Sequence, residues 1–440
     1  MGVFFGTDGI RGIYGEELNE KIAFACGNAI GRCGENLKII IGCDTRLTCD
    51  VLGLSFACGA MSVGANVTNI GICPTAGVSY LVSKIGFDYG VVISASHNPA
   101  KYNGIKIFNK YGKKISELEE NSLEKKFLNQ KNVCFNQVGR YYHKPYLVNY
   151  YYNYLDKLFD FNLIGKTIVL DSSNGASFKI AKKLFKNKGA KVISIGTKPN
   201  GVNINQNCGA LFTSRLQKSV LNKKADFGFA YDGDSDRLVA VSENGEIVTG
   251  DQLVYIFSMF YKKIGKLLPS KVVGTKHTNM GIEKALYKNG IELLRADIGD
   301  KFVSEKMDEQ GIIVGGEQSG HIILKEFMQT GDGILSSLFL AYICCLENKK
   351  LSEKLDVKLY EQCNINVKVK DKVFILQNKN IINFIKSQEF EVSNKGRLMV
   401  RASGTEQVIR VMVESENQFF SNNLANKIAD YIKQIDNINS

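Results

Sequence analysis

The sequence predicts an α/β protein with a separate, smaller α+β domain at its C-terminal end. Short apolar runs recur along the chain, each followed by a loop rich in Gly, Asp and Ser, and helical patterns lie between them. Apolar runs of strand length that alternate with helices indicate layered α/β architecture with mostly parallel sheets. The 440 residues exceed one ordinary hydrophobic core, so roughly two to four domains are expected.

Five apolar runs are predicted to be buried strands that end in polar loops. They lie at 37–41, 89–93, 167–170, 227–231 and 271–274. Helices are predicted where apolar side chains recur at helical spacing, at 141–160, 178–188, 253–264 and 281–288. Ligands of parallel sheets bind at the carboxyl ends of the strands, so the polar loops after these runs are the expected location of a site.

The chain from about residue 365 follows a different pattern. Residues 363–369 alternate between apolar and polar side chains, as an antiparallel strand with one exposed face does. Two further strands are predicted at 397–400 and 408–413, and a closing helix at 424–435. This stretch is predicted to be a separate small α+β domain.

Composition and charge argue against several classes of protein. The net charge is +12, but the lysines come in pairs and are not interleaved with aromatic residues in one block, so no nucleic-acid partner is expected. The longest apolar run, 334–346, is shorter than the roughly 20 residues that cross a bilayer, and no signal-peptide pattern opens the chain. We therefore expect a cytoplasmic protein without a membrane partner. The 11 cysteines form no Cys-x-x-Cys pair and are expected to be free thiols.

The loop after 227–231 carries three carboxylates at alternate positions, Asp232, Asp234 and Asp236. Carboxylate oxygens are the ligands that Mg²⁺ and Ca²⁺ prefer. In a straight strand the outer two would lie about 13 Å apart, at ~3.3 Å per residue. They can share one ion only if the chain curls there.

Two other motifs begin in a similar way. An EF-hand loop is rejected, because Arg237 stands at the position where that loop requires glycine. A haloacid-dehalogenase-type phosphatase, in which Asp232 would be the nucleophile, stays open as an alternative. A further alternative is a protein that binds anions or nucleic acid and has no catalytic activity.

Three more loops carry candidate site residues. Ser96 lies in the loop 94–99 after a predicted strand, and Lys106 follows within reach of a short hairpin. A second loop offers arginine, hydroxyl and backbone donors, a combination suited to phosphate. Its candidate residues are Arg401, Ser403, Gly404 and Thr405, with Arg410 further along the chain. The third loop has side chains suited to sugar hydroxyls and a titratable imidazole: Glu317, Ser319 and His321.

Together these segments resemble the α-D-phosphohexomutase superfamily. Five motifs follow one another in the family's order, at 5–12, 94–99, 232–237, 316–321 and 401–406. The first and fourth, Phe-Gly-Thr-Asp-Gly-Ile-Arg-Gly and Gly-Glu-Gln-Ser-Gly-His, are similar to the phosphoglucosamine mutase branch. Phosphomannomutase/phosphoglucomutase relatives, the alternative within the superfamily, usually have Met where Gln318 stands.

The resemblance implies a fold of three similar mixed-sheet α/β domains plus a smaller, mobile C-terminal α+β domain. Its expected boundaries are 1–160 for the domain with the phosphoserine loop and 161–250 for the domain with the metal-binding loop. The sugar-recognition domain is expected at 251–364, and the small phosphate-binding domain at 365–440.

The resemblance also implies roles for the candidate residues. Ser96 would be phosphorylated, and its phosphate would bind one Mg²⁺ together with Asp232, Asp234 and Asp236. The reacting phosphate would lie near Arg11, Lys106, Arg237 and His321, with Lys106 the first candidate for proton transfer and His321 the second. Glu317 and Ser319 would hold the sugar. The phosphate that is not transferred would be held by Arg401, Ser403, Gly404 and Thr405, with Arg410 nearby.

The implied activity is an isomerase reaction between glucosamine 6-phosphate and glucosamine 1-phosphate through a 1,6-bisphosphate. The partner would be a phosphorylated hexosamine, glucosamine or glucose 1,6-bisphosphate would be the activator, and a homodimer is compatible with the sequence. Four positions depart from the family pattern: Cys43, Ser235, Gln407 and the segment 276–278 in the sugar-recognition loop. The last leaves the exact sugar open.

Overall fold

The computed structural model describes residues 4–6, 8–127, 131, 137–393, 395–403 and 407–438. The described residues form four β-sheets. The chain divides into two compact units, the first built from Met1–His277 and Leu293–Leu355, the second from Thr278–Glu292 and Asp356–Ser440. Three sheets flanked by helices and one small antiparallel sheet confirm the predicted fold class.

The first sheet has seven strands and is mixed. Its strands are β1 (Phe5–Gly6), β2 (Gly9–Ile13), β3 (Lys38–Cys43), β4 (Asn66–Ile72), β5 (Tyr89–Ile93), β6 (Tyr102–Asn109) and β7 (Tyr141–His143). The helices are α1 (Glu20–Gly31), α2 (Cys49–Met61), α3 (Thr75–Ile85), α4 (Glu117–Phe127) and α5 (Val148–Leu158). The strand order is β1-β2-β6-β5-β3-β4-β7; β3 pairs parallel with β4 and β5, and β5 antiparallel with β6.

The central strand β3 is apolar at consecutive positions because both faces of this sheet are covered. Ile39 and Ile41 belong to the core cluster that includes α1 and α2, whereas Ile40 belongs to the cluster that includes α3. Side chains of a strand point alternately to the two faces, so an uninterrupted apolar run needs a layer on each side. The prediction of buried strands rests on this pattern and is confirmed.

The prediction of one continuous helix over 141–160 is wrong at its start. Tyr141–His143 forms β7, which pairs parallel with β4, and α5 begins only at Val148. Pro145 opens a short 3₁₀ turn between them. Proline has no N–H for the helix ladder and disfavours helical backbone at the residue before it, so the helix cannot extend back through this position.

The second sheet carries the acidic loop. Its elements are β8 (Thr167–Asp171), α6 (Ile180–Asn187), β9 (Lys191–Ile195), α7 (Ser214–Lys223), β10 (Phe227–Tyr231), β11 (Leu238–Ser242) and β12 (Ile247–Val248). The strand order is β12-β11-β10-β8-β9, with β8 parallel to β9 and β10. The acidic loop follows the carboxyl end of β10, which is the edge where ligands of such sheets bind.

The third sheet has four strands in the order β14-β13-β15-β16. These elements are α8 (Gly250–Lys263), β13 (Lys271–Thr275), α9 (Met280–Lys288), β14 (Glu292–Ala296), α10 (Asp300–Gln310), β15 (Val314–Gly316), β16 (Ile322–Leu324) and α11 (Gly333–Leu346). The helix α9 groups with the second compact unit. Within the described ranges, no helix is both long and apolar enough to cross a membrane.

The second unit holds the small C-terminal sheet. Its elements after α9 are β17 (Glu361–Lys368), α12 (Lys372–Gln377), α13 (Lys379–Val392), β18 (Gly396–Ala402), β19 (Val408–Ser415) and α14 (Gln418–Ile438). The three strands pair antiparallel in the order β17-β19-β18. Their apolar face packs with α13 and α14 into one core. The strands and the closing helix predicted for this stretch are confirmed.

Candidate active site

The loop after β5 holds Ser96 in a left-handed backbone conformation. Its φ is 50°, and its side chain is 1% exposed. Left-handed backbone costs a non-glycine residue roughly 1 kcal/mol or more, so the surrounding contacts must hold the loop in place. The Ser94 hydroxyl accepts a hydrogen bond from Ser96 N at 2.9 Å and donates one to Asp44 Oδ2 at 2.5 Å.

Arg46 fixes the carbonyl groups of the same loop. Its guanidinium is buried and pairs with Asp44 at 2.9 Å. Its remaining N–H groups donate to backbone carbonyls at 2.5–3.0 Å, those of Ser96, Asn98, Pro99 and Tyr102. A planar cation that satisfies four carbonyls at once makes the loop rigid, so the Ser96 hydroxyl has a defined direction.

Ser96 and the acidic loop of the second sheet meet directly. Ser96 Oγ donates a hydrogen bond to Asp232 Oδ2 at 2.6 Å, although 136 positions separate the two residues. On its other side Ser96 Oγ lies 3.2 Å from His97 Nδ1. Burial, with Arg237 and Arg11 nearby, lowers the pKa of His97 to about 3, so this imidazole is neutral near pH 7. The hydroxyl thus lies between two groups that can accept its proton.

The acidic loop curls in the way that a shared cation requires. One ligand oxygen from each of Asp232, Asp234 and Asp236 lies within 4.8 Å of the others. The curl depends on Ser235, which has a φ of 63° and is fully buried. This residue replaces the family's glycine, and it adopts the left-handed conformation that glycine would take without a steric cost.

The three carboxylates fit a divalent cation. Asp234 Oδ1 and Asp236 Oδ1 are buried and have no hydrogen-bond partner among the described residues. Burial, together with repulsion from Asp236 and Asp234, raises the pKa of Asp232 well above its ordinary value. Buried anionic oxygens without donors are costly unless a cation lies between them, and oxygen ligands are those of Mg²⁺ and Ca²⁺.

Lys106 brings a positive charge to the same loop from the first sheet. The antiparallel register of β5 and β6 sets Val92 opposite Lys106, directly before the Ser96 loop. Lys106 Nζ lies 2.7 Å from Asp234 Oδ2, 3.0 Å from Asp236 Oδ2 and 3.3 Å from Asp8 Oδ2. Burial alone would lower the pKa of Lys106. The attraction of the three carboxylates is stronger than the effect of burial and raises this pKa well above its ordinary value.

This ammonium belongs to a closed ring of alternating charges. We call it the charge ring, and its members in order are Lys106, Asp236, His321, Asp300, Lys114 and Asp8. It joins side chains from all three sheets of the first unit. Lys114 Nζ pairs with both Asp8 and Asp300, and Lys106 closes the ring at Asp8.

His321 is the imidazole member of the charge ring. Its Nδ1 lies 3.7 Å from Asp236 Oδ2, and its Nε2 lies 3.3 Å from Asp300 Oδ2 and 3.0 Å from Gly331 N. Nε2 accepts a hydrogen bond from Gly331 N in the neutral imidazole, and the protonated imidazole is the cationic member of the ring. Burial opposes the charged form, but the two carboxylates outweigh burial and raise the pKa of His321. Gly331 is required here, because a Cβ on it would lie 2.4 Å from His321 Nε2.

Two guanidinium groups at the site have N–H donors without acceptors. Arg11 Nε and Arg237 Nε are both buried and have no hydrogen-bond partner in the described parts of the chain. Arg237 Nε lies 4.0 Å from Asp232 Oδ2 and from Asp236 Oδ1, beyond hydrogen-bond distance. Buried donors left in this way are expected where a ligand supplies the acceptor, and for guanidinium that ligand is an anion such as phosphate.

The predicted sugar-recognition residues lie in the turn between β15 and β16. Glu317 Oε1 accepts a hydrogen bond from Gly299 N at 3.1 Å, and Ser319 is exposed. Burial raises the pKa of Glu317. Gly320 has a φ of 94°, and a Cβ on it would lie 2.1 Å from Leu238 O, so the turn packs tightly against the second sheet. Glu317 and His321 are therefore held on one rigid turn.

In the second unit, the predicted phosphate-binding residues lie at one end of the small sheet. Arg401 of β18 and Arg410 of β19 are cross-strand partners. Arg410 Nη2 lies 3.5 Å from Ser403 Oγ, and Lys372 Nζ donates to Ser403 O at 2.9 Å. Burial and the charge of Arg410 lower the pKa of Arg401. Two guanidinium groups and a hydroxyl at one end of the sheet are donors of the kind that suits phosphate. Gly404 and Thr405 lie outside the described residues.

Four sequence families match consecutive parts of the chain. They are the α/β/α domains I, II and III and the C-terminal domain of phosphoglucomutase/phosphomannomutase, at residues 2–133, 149–245, 249–360 and 365–430. A phosphoglucosamine mutase from Caldicellulosiruptor bescii is 42% identical over 430 residues, which cover 95% of this chain and 96% of the relative.

The chain belongs to the phosphoglucomutase/phosphomannomutase family.

Solved structures of this family share the fold at low sequence identity. A family member from Burkholderia thailandensis superimposes with a TM-score of 0.81 at 20% identity and covers 97% of each chain. An N-acetylphosphoglucosamine mutase from Aspergillus fumigatus, solved in complex with GlcNAc-6P and magnesium, gives a TM-score of 0.67 at 16% identity over 98% of this chain and 96% of its own. The predicted superfamily, fold class and enzyme class, an isomerase, are confirmed.

The family assignment also decides between the alternatives of different fold. A haloacid-dehalogenase-type phosphatase and a non-enzymatic binding protein are both wrong, because all four phosphohexomutase domains are present in order along nearly the whole chain. The alternative within the family, a phosphomannomutase/phosphoglucomutase, differs only in its sugar.

Several members of the site escaped the sequence motifs. Asp8 lies inside the first motif but had no role assigned, and Lys114 and Asp300 lie outside the motifs altogether. Asp300 follows β14 and opens α10, so the rule that ligands bind at the carboxyl ends of strands would have found it. His97 follows Ser96 directly in the sequence, and adjacency alone does not predict a contact, because the hydrogen bond between the two side chains depends on the left-handed turn.

Proposed function

We propose that this chain is a phosphoglucosamine mutase, which interconverts glucosamine 6-phosphate and glucosamine 1-phosphate through a phosphoserine at Ser96 and a 1,6-bisphosphate. The single observation that carries the proposal is the 2.6 Å hydrogen bond from Ser96 Oγ to Asp232 Oδ2, between loops of two domains. The name of the full-length relative at 42% identity supports the choice of sugar.

The cofactor we propose is one Mg²⁺. Asp232, Asp234 and Asp236 would hold it together with a phosphate oxygen on Ser96, and magnesium accompanies the Aspergillus fumigatus relative in its solved complex. When bound, the ion would neutralise charge on the reacting phosphoryl group. The buried, unpartnered Oδ1 atoms of Asp234 and Asp236 support this assignment.

In the proposed transfer, the P–O bond to Ser96 breaks as a new P–O bond forms to the free hydroxyl of the sugar. The sugar hydroxyl loses its proton, and Ser96 Oγ gains one. The unpartnered Nε–H donors of Arg11 and Arg237 would bind equatorial oxygens of the phosphoryl group. The transfer then runs in reverse after the bisphosphate has turned, which returns the phosphate to Ser96.

For the proton transfers, Lys106 is the first candidate and His321 is the second. Lys106 is an ammonium that contacts the acidic loop beside Ser96, and it would donate a proton to Ser96 Oγ as the serine is released. An ammonium has no lone pair, so the same group cannot accept the sugar proton until it has given its own away. His321, which lies between Asp236 and Asp300, is the second candidate.

Two further sets of residues would bind the rest of the substrate. Glu317 and Ser319 would hold the sugar hydroxyls. Arg401, Ser403, Gly404, Thr405 and Arg410 would hold the phosphate that is not transferred, and Lys372, which donates to Ser403 O, joins them. Glucosamine 1,6-bisphosphate or glucose 1,6-bisphosphate would be the activator, because either can phosphorylate Ser96.

The four-domain division at 1–160, 161–250, 251–364 and 365–440 belongs to the same proposal, as do the cytoplasmic location and a homodimer. These three stay predictions.

Competing substrates test the proposed function. We expect kcat/KM for glucosamine 6-phosphate to exceed that for glucose 6-phosphate and mannose 6-phosphate by about 100-fold or more, a difference of about 3 kcal/mol in transition-state binding. Ser96→Ala should abolish all three activities, whereas Ser83→Ala, an exposed serine of α3, should not. A preference for glucose or mannose phosphate would replace the proposal with the phosphomannomutase/phosphoglucomutase alternative.

A further inference from the structure

A largely apolar groove lies between the first and second sheets of the first unit, apart from the site described above. Its volume is about 500 Å³, which is the size of a small-molecule pocket. Its apolar lining includes Ile72, Pro74, Tyr152 and Phe178. Ile72, at the end of β4, is 42% exposed and adds apolar surface to this lining.

Two ammonium groups stand at the rim of the groove without acidic partners. Lys179 directly precedes α6 and Lys183 lies in its first turn, and no described residue pairs with either ammonium through a salt bridge or hydrogen bond. Lys183 Nζ lies 4.0 Å from the centre of the Tyr152 ring, and Lys179 Nζ lies 5.2 Å from that of Phe178. The aromatic rings hold the cations over the apolar surface, where a ligand anion would meet them.

The walls of the groove are also the supports of the acidic loop. Pro74 lines the groove, and the next residue, Thr75, donates to Asp234 twice, from N to the carbonyl at 3.0 Å and from Oγ1 to Oδ2 at 2.6 Å. Ala176 lines the opposite wall, and its N donates to Gly233 O at 2.7 Å. A ligand that moves either wall therefore moves the backbone that positions the carboxylates.

We propose that this groove binds a small organic acid with an apolar chain or ring and one anionic group, and that binding there changes the affinity of the acidic loop for its cation. The apolar lining suits the body of such a ligand, and the two unpaired ammonium groups suit its anion. The direct contacts of Thr75 and Ala176 with the acidic loop provide the coupling.

The binding half of the proposal is tested with octanoate on the full chain by titration calorimetry. Acetate has the charge without the chain, and 1-octanol has the chain without the charge, so octanoate should bind at least about tenfold more tightly than either. Octanoate binding that is no tighter than that of 1-octanol, or that cannot be detected, overturns the proposal.

Charge reversal at the rim locates the site. The double variant Lys179→Glu, Lys183→Glu should weaken octanoate binding by about tenfold or more. Lys182→Glu is the matched control, because Lys182 is exposed on the same helix but does not line the groove. Equal losses in the control and in the double variant would mean that the overall charge, not the groove, attracts octanoate, and would contradict the assignment.

The coupling half is tested by titrating Mg²⁺ with and without saturating octanoate. Linkage requires that octanoate change the Mg²⁺ affinity by the same factor by which Mg²⁺ changes the octanoate affinity. A reciprocal change of about fivefold or more is expected. No change in either titration overturns the coupling. Both are binding measurements, so the result stands whichever sugar the enzyme prefers. If Mg²⁺ itself does not bind, the coupling and the cofactor of the proposed function both fall, and the octanoate binding results still decide the groove.

Discussion

His321 Nε2 lies 3.3 Å from Asp300 Oδ2, and this contact joins the sugar-recognition turn to the start of α10. Asp300 also pairs with Lys114 of the first domain, which in turn pairs with Asp8. The imidazole is therefore positioned by a network that reaches the residues around Ser96. The charge ring thus connects the first and third sheets through partly buried ion pairs.

Asp300→Asn tests this network. The amide keeps the shape of the carboxylate but loses its charge, so His321 and Lys114 lose one partner each. Residues that orient a reacting group usually contribute about 10–100-fold to activity, and we expect kcat to fall by that factor with little change in KM. Asp308→Asn is the control, because Asp308 makes only exposed pairs, with Lys113 and Lys325. An equal loss in both variants would contradict the positioning role.

Lys106→Ala should slow phosphoryl transfer far more than it weakens substrate binding. The change leaves three carboxylates without their ammonium in a buried site, so kcat should fall by roughly 100-fold or more while KM changes little. Single-turnover transfer from phosphorylated enzyme measures the step directly. Equal losses in transfer rate and in sugar affinity would show that Lys106 binds substrate instead.

Removing the divalent cation should destabilise the first unit. Mg²⁺ at 100 times its dissociation constant should stabilise the folded state by about 2.7 kcal/mol, because it binds only the assembled acidic loop. Thermal unfolding with MgCl₂ and with KCl of equal ionic strength measures the shift in Tm. Asp234→Asn should lose most of the shift. A shift that is unchanged in the variant would place the cation elsewhere.

The stability of the first unit should fall as pH rises through about 6, because of Asp332. Burial raises the pKa of Asp332 to about 6, and its carboxylate accepts hydrogen bonds from Leu335 N and Tyr151 OH. The folded pKa exceeds the ordinary value, so the protonated form stabilises the fold. This contribution is complete below about pH 4 and is lost above about pH 6.

Asp332→Asn removes this titration while keeping a cap for α11. Relative to the original chain, the variant should gain stability between about pH 4 and about pH 7.5, by up to about 3 kcal/mol for a shift of about two pKa units. Urea midpoints across that range measure the difference. A difference that stays constant with pH, or that changes in the opposite direction, would contradict the assigned pKa.

Arg410→Ala should act on binding rather than on transfer. Arg410 and its cross-strand partner Arg401 lie with Ser403 at the end of the small sheet, where their guanidinium groups can donate hydrogen bonds to a phosphate. We expect KM for the phosphosugar to rise by about tenfold or more, with a smaller effect on transfer from phosphorylated Ser96. Lys368→Ala, an exposed cation of β17, is the control. A fall in kcat at constant KM would contradict the role.

Most of the strands could be predicted from local sequence patterns, but the contacts between domains could not. The run 37–41 could be assigned because both faces of β3 are covered, and Ser96 could be singled out because it lies in the loop that follows a buried strand. The pairing of Asp300 with Lys114 spans 186 positions and leaves no periodicity in the sequence. Such contacts arise from domain packing, which no local pattern records.

Two local features were missed for different reasons. The segment 141–160 begins as a strand because an edge of the first sheet is available to β7, and tyrosine suits both a strand and a helix surface. Ser235 takes a left-handed φ where glycine is usual, so its identity alone suggested a different curl. The loop keeps its curl because Ser235 N donates to Asp232 O, and Ser235 O accepts from Gly333 N.

In the proposed function, Ser96 carries the phosphoryl group beside the acidic loop. The most direct measurement is intact mass with peptide mapping, after incubation with glucosamine 1,6-bisphosphate and removal of the free sugar. We expect one phosphate per chain on the peptide that contains Ser96, and we expect this phosphate to be lost when glucosamine 6-phosphate is added. Turnover by a protein that never carries phosphate on Ser96, or phosphate found on Asp232 instead, would contradict it.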